Sequence, residues 1–315
     1  MLRSEISALL GIQYPVFQGG MAWIANAKLA AAVSEAGGLG IISAMNTDSE
    51  WLRTEIRKTR SLTDKPFGVN IMLMSPSAGE MAQVLIEESV PVVTTGAGNP
   101  AKYMENWRTA GIKVIPVVAS VAFARLMERI GASAVIAEGG ESGGHVGDLS
   151  TMVLVPQVCD ALRIPVVAAG GIADGRALAA CLMLGASGVQ LGTRFLMARE
   201  CDIHENYRNK LIRASDTATI VTGRRSGHPI RALKSPMTRR YAESEYDSSV
   251  DDEALTALRA GGLRKAVTEG SEAEGYFMAG QVAGMLKNEE SAAEIVHSIA
   301  REAEVLLKGS TRWLE

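Results

Sequence analysis

Short apolar runs recur from the N-terminus to residue 195 and set the predicted architecture of the chain. They lack the alternation of polar and apolar residues that marks a half-exposed strand, as expected for strands buried on both faces of a parallel sheet. Eight such runs are present, at 15–20, 38–43, 66–73, 91–98, 113–120, 134–140, 165–171 and 188–195.

Segments with helical spacing separate these runs, for example at 26–37, 78–89 and 174–185. Asn26 and Asp174 are suited to be N-caps of two of them, which end in glycine. Strands that alternate with helices about every 25 residues predict an α/β fold, the (β/α)8 or TIM barrel. An open doubly wound sheet is the alternative, but such sheets usually have about five or six strands. We therefore expect a barrel over residues 1–198.

The charge pattern changes beyond residue 200. The segment 221–240 contains six Arg or Lys and no acid, and the segment 243–253 contains six acids. This reversal of sign predicts a smaller appended lobe over 199–287. A strongly helical stretch at 289–309 predicts a last helix, so we expect 288–315 to return and pack on the barrel.

Composition narrows the class of protein. The chain has 315 residues, 47% of them hydrophobic, and a net charge of −3; no run is apolar enough to cross a membrane and no signal peptide is evident. Its three cysteines form neither a CxxC motif nor a zinc-ligand spacing, which favours a reducing compartment and no metal site. We expect a cytoplasmic protein that binds neither nucleic acid nor membranes.

Glycine and polar residues cluster where the predicted strands end. They lie at 18–20, 70, 94–96, 138–140, 170–171 and 190–193. A single glycine there would merely make a turn. In a barrel, however, all of these positions meet at one rim, where barrel enzymes carry their active sites. The pattern predicts a large ligand across the mouth of the barrel.

The first ligand that these loops suggest is a phosphate. Loops after strands seven and eight of a barrel often bind one. Here they carry Gly170 and Gly171, then Gly192 and Thr193 in front of a predicted helix. The pattern fits a phosphosugar as well as flavin mononucleotide (FMN).

The opposite side of the rim favours FMN. Asn70 and Gln18 follow strands three and one, where their amides suit the N and O edge of a flat heterocycle, and Glu138 or Gln190 could bind ribityl hydroxyls. A small sugar phosphate would not need contacts so far apart. Because no GxGxxG fingerprint is present, we expect a nicotinamide cofactor to visit as a co-substrate.

A glycine-rich segment, 137–147, contains one histidine, His145. Glycines let the backbone approach a ligand closely, and imidazole titrates near neutral pH. The segment therefore predicts a proton-transfer site beside a bound molecule. A flexible surface loop with an incidental histidine is the alternative, and the segment alone leaves both open.

Longer motifs resemble the FMN-dependent enoyl-acyl-carrier-protein reductases (type II) of bacterial fatty acid synthesis, within the nitronate monooxygenase (2-nitropropane dioxygenase-like) superfamily. The matching motifs cover nearly the whole chain: 14-YPVFQGGMAW-23, 36-AGGLGII-42, 63-TDKPFGVNIML-73, 93-VTTGAGNP-100, 136-IAEGGESGGHVG-147, 168-AAGGIADG-175, 190-QLGTRF-195 and 278-MAGQVAG-284. The reductase branch is indicated mainly by 63–73, 93–104 and 278–281.

The resemblance implies that His145 is the active-site histidine and that Asn70 binds the pyrimidine edge of the flavin. Ser142 stands where some relatives carry alanine. The other positions expected to bind FMN, from the resemblance or from the loop pattern, are Gly19, Gly20, Met21, Glu138, Gly143, Gly170, Gly171, Gln190, Gly192 and Thr193.

The implied reaction is the reduction of trans-2-enoyl thioesters on acyl carrier protein by NADH or NADPH. His145 would donate the proton or a hydrogen bond to the thioester carbonyl. The resemblance also implies a homodimer, and it leaves the nicotinamide, the chain length and any monovalent cation open. The alternatives are a nitronate monooxygenase, in which His145 abstracts a proton and O2 reoxidises the flavin, and a non-oxidative phosphate-binding barrel.

The basic segment 221–240 supplies the expected substrate or nicotinamide contacts, at Arg224, Arg225, His228 and Arg231. An acyl carrier protein is acidic, and its phosphopantetheine arm and the nicotinamide cofactor carry phosphates, so a cationic patch would steer them. A solvated basic face without such a role is the alternative.

Overall fold

The computed structural model of the chain describes residues 2, 4–45 and 47–313. In chain order the strands are β1 (Val16–Gln18), β2 (Gly40–Ser43), β3 (Phe67–Met72), β4 (Val92–Gly96), β5 (Lys113–Val118), β6 (Val135–Glu138), β7 (Gly144–His145), β8 (Val166–Ala169), β9 (Gly188–Leu191), β10 (Thr219–Thr222) and β11 (Ile230–Leu233).

The α-helices are α1 (Glu5–Leu10), α2 (Ala27–Glu35), α3 (Ser49–Leu62), α4 (Ala78–Glu87), α5 (Ala101–Thr109), α6 (Val121–Arg129), α7 (Thr151–Ala161), α8 (Gly175–Met183), α9 (Glu205–Ile212), α10 (Pro236–Glu245), α11 (Asp252–Arg259), α12 (Gly262–Arg264) and α13 (Ala292–Lys308). Short 3-10 helices cover Thr193–Met197, Gln281–Met285 and Ser310–Trp313, and a π-helical turn covers Lys265–Glu269.

Eight parallel strands close into a barrel in the order β1-β9-β8-β6-β5-β4-β3-β2. A parallel bridge between Phe17 and Leu39 joins the first and last strands of that order. The predicted TIM barrel and its eight strands are therefore confirmed. All of these strands except β2 end before the last residues of the predicted runs, because the glycine and polar residues there leave the sheet and form loops.

The start and stop signals of two predicted helices act as expected. The Asn26 side chain accepts a hydrogen bond from the Leu29 N–H at 3.1 Å, and that of Asp174 accepts from the Arg176 and Ala177 N–H groups at 3.0 and 3.2 Å. Each oxygen satisfies N–H groups that lack a partner within the helix. Gly37 and Gly185 follow the helix ends with φ of +88° and +97°, a conformation that disfavours other residues.

A second, antiparallel sheet has the order β10-β11-β7. Its edge strand β7 lies inside the glycine-rich segment 137–147, for which the sequence predicted no strand. Ile230 pairs with His145, and Arg231 pairs with Gly144. A loop of the barrel is thereby built into the sheet of the appended lobe.

One hydrophobic core extends across residue 198, the predicted boundary of the barrel. Phe195 on one side and Tyr207 and Phe277 on the other are buried in the same cluster, with the last two rings edge to face at 5.0 Å. The final helix α13 packs against α2 and α8. Among the described residues, no helix is long and apolar enough to cross a membrane.

Candidate active site

A cavity of about 300 Å³ opens at the carboxyl ends of the barrel strands, a volume at the lower end of the range for ligand pockets. Its wall has two chemically different parts. What we call the glycine half is formed by the end of β6, by β7 and by the loops after β6, β8 and β9: Glu138, Glu141, Gly143, Gly144, His145, Gly170, Gly171, Gly192 and Thr193. What we call the methionine half is formed by the ends of β3 and β4 and by the loops after β1, β2 and β4: Ala22, Ile24, Met45, Met72, Gly96 and Ala97.

Backbone forms much of the glycine half. Gly170 and Gly171 have φ of +92° and +73°, which turns the chain sharply after β8 and exposes main-chain groups. A Cβ on Gly143 would lie 2.6 Å from the Ala279 carbonyl carbon and 2.7 Å from the Gly280 nitrogen. The lobe therefore packs directly against this glycine, and a side chain there would force the two apart.

Thr193 links the loop after β9 to the segment before the 3-10 helix Gln281–Met285. Its hydroxyl oxygen accepts a hydrogen bond from the Gly280 N–H at 2.8 Å. Since a hydroxyl can also donate one bond, Thr193 retains its proton for a ligand. The helix predicted to follow Gly192 is a 3-10 helix of five residues.

Asn70 is held by a neighbouring strand. Thr94 donates its hydroxyl hydrogen to Asn70 Oδ1 at 3.0 Å, which leaves the Nδ2 donor for a molecule in the cavity. A Cβ on Gly20 would lie 2.3 Å from the Asn70 Cβ, so the amide lies directly over this glycine. Gln190 covers Gly19 in the same way, at 3.0 Å from its hypothetical Cβ.

Glu138 is a carboxyl group without a cationic partner in the described structure. Removal from bulk water raises its pKa to about 7, against the opposing effect of Ser142, whose hydroxyl donates to Glu138 Oε1 at 2.8 Å. At neutral pH the carboxyl is thus close to half protonated and can donate or accept a hydrogen bond.

His145 lies at the cavity mouth, where β7 holds its backbone in the second sheet. This pairing excludes the flexible loop considered from the sequence. Partial desolvation lowers the pKa of His145 below 6.5, and the nearby Arg259 and His228 lower it further. The imidazole is therefore neutral at neutral pH, with one nitrogen able to donate a hydrogen bond and the other able to accept a proton.

Glu141 is a residue of this site that the sequence analysis missed. Its carboxylate accepts hydrogen bonds from the N–H and the hydroxyl of Thr151 at 2.9–3.0 Å, and so caps α7. Its carbonyl oxygen accepts from the Gln281 N–H at 2.9 Å. Its place in the glycine-rich segment was the available signal.

The prediction for Gln18 is wrong. Its side chain is fully buried, accepts from the Ile41 N–H at 3.1 Å and donates to the Ile41 carbonyl at 3.2 Å. This amide links β1 to β2 inside the barrel and forms no part of the cavity wall.

The basic residues have separate environments. Arg225 donates to the carbonyl oxygens of residues 245, 247 and 250, which keeps it out of the cavity. Arg231 is half-buried and donates to the Gly140 carbonyl at 3.0 Å, so it supports the glycine-rich segment from behind. Arg224 is exposed and pairs weakly with Asp148 at 3.4 Å, and exposed His228 lies near His145.

Apart from Gln18, the positions expected to bind FMN all line the cavity. Backbone-walled loops suit a phosphate and a ribityl chain, and the fixed Asn70 amide suits the polar edge of a flat ring. The residues present therefore fit FMN.

Comparisons with known proteins agree with this arrangement. The family model described as nitronate monooxygenase matches residues 3–302. The structure of FabK from Thermotoga maritima is 48% identical and superimposes with a TM-score of 0.97, covering 99% of this chain and 100% of that one.

Two named relatives are similar to this chain over almost their full lengths. One is the (3aS,4S,5R,7aS)-5-hydroxy-7a-methyl-1-oxo-octahydro-1H-indene-4-carboxyl-CoA dehydrogenase of Mycobacterium tuberculosis, 34% identical over 100% of this chain and 99% of the relative. The other is a probable nitronate monooxygenase of Staphylococcus saprophyticus, 31% identical over 97% of this chain and 99% of the relative.

Proposed function

The chain belongs to the nitronate monooxygenase family of flavin-dependent oxidoreductases, and we propose that within it the protein is an FMN-dependent enoyl-acyl-carrier-protein reductase. Its substrates are trans-2-enoyl thioesters, and NADH or NADPH is the reductant. The observation that carries this proposal is the full-length similarity to FabK, an enoyl-acyl-carrier-protein reductase II. The name of the M. tuberculosis relative also specifies a coenzyme A thioester, which favours thioester chemistry.

Residues of the glycine half would hold the cofactor. Gly171, Gly192 and Thr193 would bind the phosphate, and Glu138 the ribityl chain. Asn70 would donate its free Nδ2 hydrogens to the polar edge of the ring, across the cavity. When bound, FMN supplies hydride transfer, which no side chain of the protein can perform.

Reduction of an enoyl thioester adds a hydride at Cβ and a proton at Cα, and negative charge develops on the carbonyl oxygen. Gly143 lines the cavity, and its backbone N–H would be the donor to this oxygen. One such donor is worth about 3–4 kcal/mol in the best-studied enzymes. His145, at the mouth of the cavity, donates a hydrogen bond from its neutral ring to the same oxygen or, after taking up a second proton, supplies the proton for Cα.

Acyl carrier protein is the proposed partner, and a homodimer is the proposed assembly. Arg224 is the basic residue best placed to attract an acidic partner, because it is exposed and its ion pair with Asp148 is long. An exposed pair of this kind is weak, so the guanidinium is free to exchange it. Arg225 and Arg231 act in folding the lobe and the glycine-rich segment.

One observation favours nitronate oxidation as a second candidate. The lowered pKa of His145 keeps a basic nitrogen available at neutral pH. A neutral imidazole is suited to abstract a proton from a nitroalkane, the first step expected of a nitronate monooxygenase.

The test is oxidation of NADH and NADPH by the FMN-loaded enzyme under nitrogen, with and without a trans-2-enoyl thioester. The proposal requires stoichiometric oxidation of one nicotinamide that depends on the thioester. If neither nicotinamide is consumed while a nitronate bleaches the flavin spectrum, the reductase proposal fails and the second candidate replaces it.

A further inference from the structure

Backbone strain marks part of the cavity rim. Outside glycine, the described residues with positive φ are Trp23 at +65°, Ser89 at +47° and Ala97 at +50°. This region is unfavourable for residues with a Cβ and especially for bulky ones. Such strain persists where the surrounding structure imposes it, often at ligand sites. Ala97 lines the cavity, and Trp23 follows one wall residue and precedes another.

A tight turn imposes the conformation of Trp23. The Met21 carbonyl oxygen accepts hydrogen bonds from the N–H groups of Ile24 at 3.0 Å and Ala25 at 2.9 Å. Ala22 and Ile24 then face the cavity, and the indole between them is 41% exposed. The turn therefore keeps a large apolar side chain partly exposed, between two cavity-wall residues in sequence, instead of in the core.

The neighbouring loops continue this apolar edge. Met45 and Met72 line the cavity, and Met74 beyond them is 61% exposed. Backbone hydrogen bonds of 2.9 Å join the loop after β1 to β2 (Ser43 N–H to Ala25 O) and the loop after β2 to β3 (Ala44 N–H to Asn70 O). The loop after β1 is thereby fixed to β2, and the loop after β2 is fixed to β3.

We propose that Trp23, Met45, Met72 and Met74 form the subsite for the acyl chain, so that the enzyme prefers medium-chain over four-carbon enoyl thioesters. This inference rests on the proposed reductase function. The glycine half offers backbone and charge to the thioester and the cofactor, and Gly19 to Met21 with Asn70 would hold the flavin ring, which leaves the other residues of the methionine half for an apolar tail. Methionine side chains are flexible and polarisable, and they accommodate chains of different shape. The rigid indole adds a large apolar contact.

The test compares FMN-loaded wild type and Trp23→Gly with trans-2-octenoyl-CoA and trans-2-butenoyl-CoA. We expect the variant to lose roughly tenfold in kcat/KM with the octenoyl thioester, the usual scale for lost apolar pocket contacts. Its kcat/KM with the butenoyl thioester should stay within about twofold of wild type. Met74→Gln, which keeps the length of the side chain but makes it polar, should shift the same ratio in the same direction.

Ser89→Gly is the matched control. It removes the same kind of strain at an exposed residue after α4, outside the cavity wall, and glycine is favoured at such helix ends. Both glycine variants should unfold at or above the wild-type temperature, and only Trp23→Gly should change the chain-length ratio. Loss with both thioesters by the same factor would overturn the subsite. A change of elution volume in Trp23→Gly would overturn it too, by assigning the indole to a subunit contact.

A binding measurement separates this inference from the proposed function. Calorimetry with octanoyl-CoA and butanoyl-CoA needs no turnover. If no thioester supports nicotinamide oxidation but Trp23→Gly still weakens octanoyl-CoA binding selectively, the reductase fails and the subsite stands. If thioesters are reduced but the octenoyl and butenoyl ratio is unchanged in the variant, the reductase stands and the subsite fails.

Discussion

The two halves of the cavity wall differ in the groups that form them and in the part of a ligand that each suits. In the glycine half the wall is largely backbone, fixed by contacts that a single Cβ would break, as at Gly143. In the methionine half the wall is flexible side chains, and a Cβ on Gly96 would meet no atom within 4 Å. A rigid wall suits the parts of a ligand that never vary, and a compliant wall suits a part that does.

The largest effect is expected from the one imidazole of the glycine half. A positioned acid or base contributes about 10²–10⁴-fold, so His145→Ala should slow turnover by that order. Its flavin content should not change, because β7 places the imidazole at the mouth of the cavity. The measurement is kcat with the enoyl thioester alongside the flavin absorbance per chain. Wild-type turnover in the variant would remove His145 from the mechanism.

Glu138, in the glycine half, should make the free energy of unfolding of the protein depend on pH. Its pKa is about 7 when folded, against 4.5 ordinarily, so the folded protein holds the proton more tightly. The free energy of unfolding therefore falls as the pH rises between these two values. Relative to wild type, Glu138→Gln should gain about 3 kcal/mol between about pH 4 and pH 8.

Urea unfolding of the cofactor-free protein at both pH values measures this difference. Parallel stability curves for the wild type and Glu138→Gln would mean that the carboxyl is solvated more than the structure indicates. Among the described residues, no comparable carboxyl lines the methionine half. This contribution to the pH dependence of the unfolding free energy therefore comes from the glycine half.

The smallest effect compares one glycine from each half. Gly143→Ala should cost about 1–3 kcal/mol, as overpacking does, because its Cβ meets backbone of the lobe at 2.6 Å. Gly96→Ala should change stability by less than about 1 kcal/mol, since the new methyl enters open space. Thermal unfolding of both variants tests this contrast. Equal losses of stability would show that the two glycines are packed alike.

The barrel was predictable from the sequence because strands that are buried on both faces form short apolar runs. Each central strand is rich in apolar residues, and the polar residues that reach the cavity, such as Asn70, Glu138 and Gln190, lie toward its carboxyl end. The loops that line the cavity were predictable for the same reason, since the ends of parallel strands meet at one rim. His145 was placed at this rim by the same topology.

The remaining features depend on partners distant in sequence. The strand β7 has two residues, too few for any periodicity, and exists because β11 pairs with it. Gln18 follows the same rule as Asn70, but its amide finds the Ile41 backbone and never reaches the ligand. Arg225 belongs to a basic run, and only the fold shows that backbone carbonyls occupy its guanidinium. The methionines carried no spacing that distinguished cavity wall from core.

The closure of the barrel also fixes when this protein becomes competent during its synthesis. Val16 pairs with Val189, and Thr193 is bonded to Gly280. As the chain leaves the ribosome, β1 can pair with β9 only after most of the barrel has emerged. The loop after β9 can bond to the lobe only after residue 280 has emerged. Contacts of such separation form late. Under the proposed function, FMN loading would therefore follow translation, and a nascent chain truncated before residue 280 would not retain the cofactor.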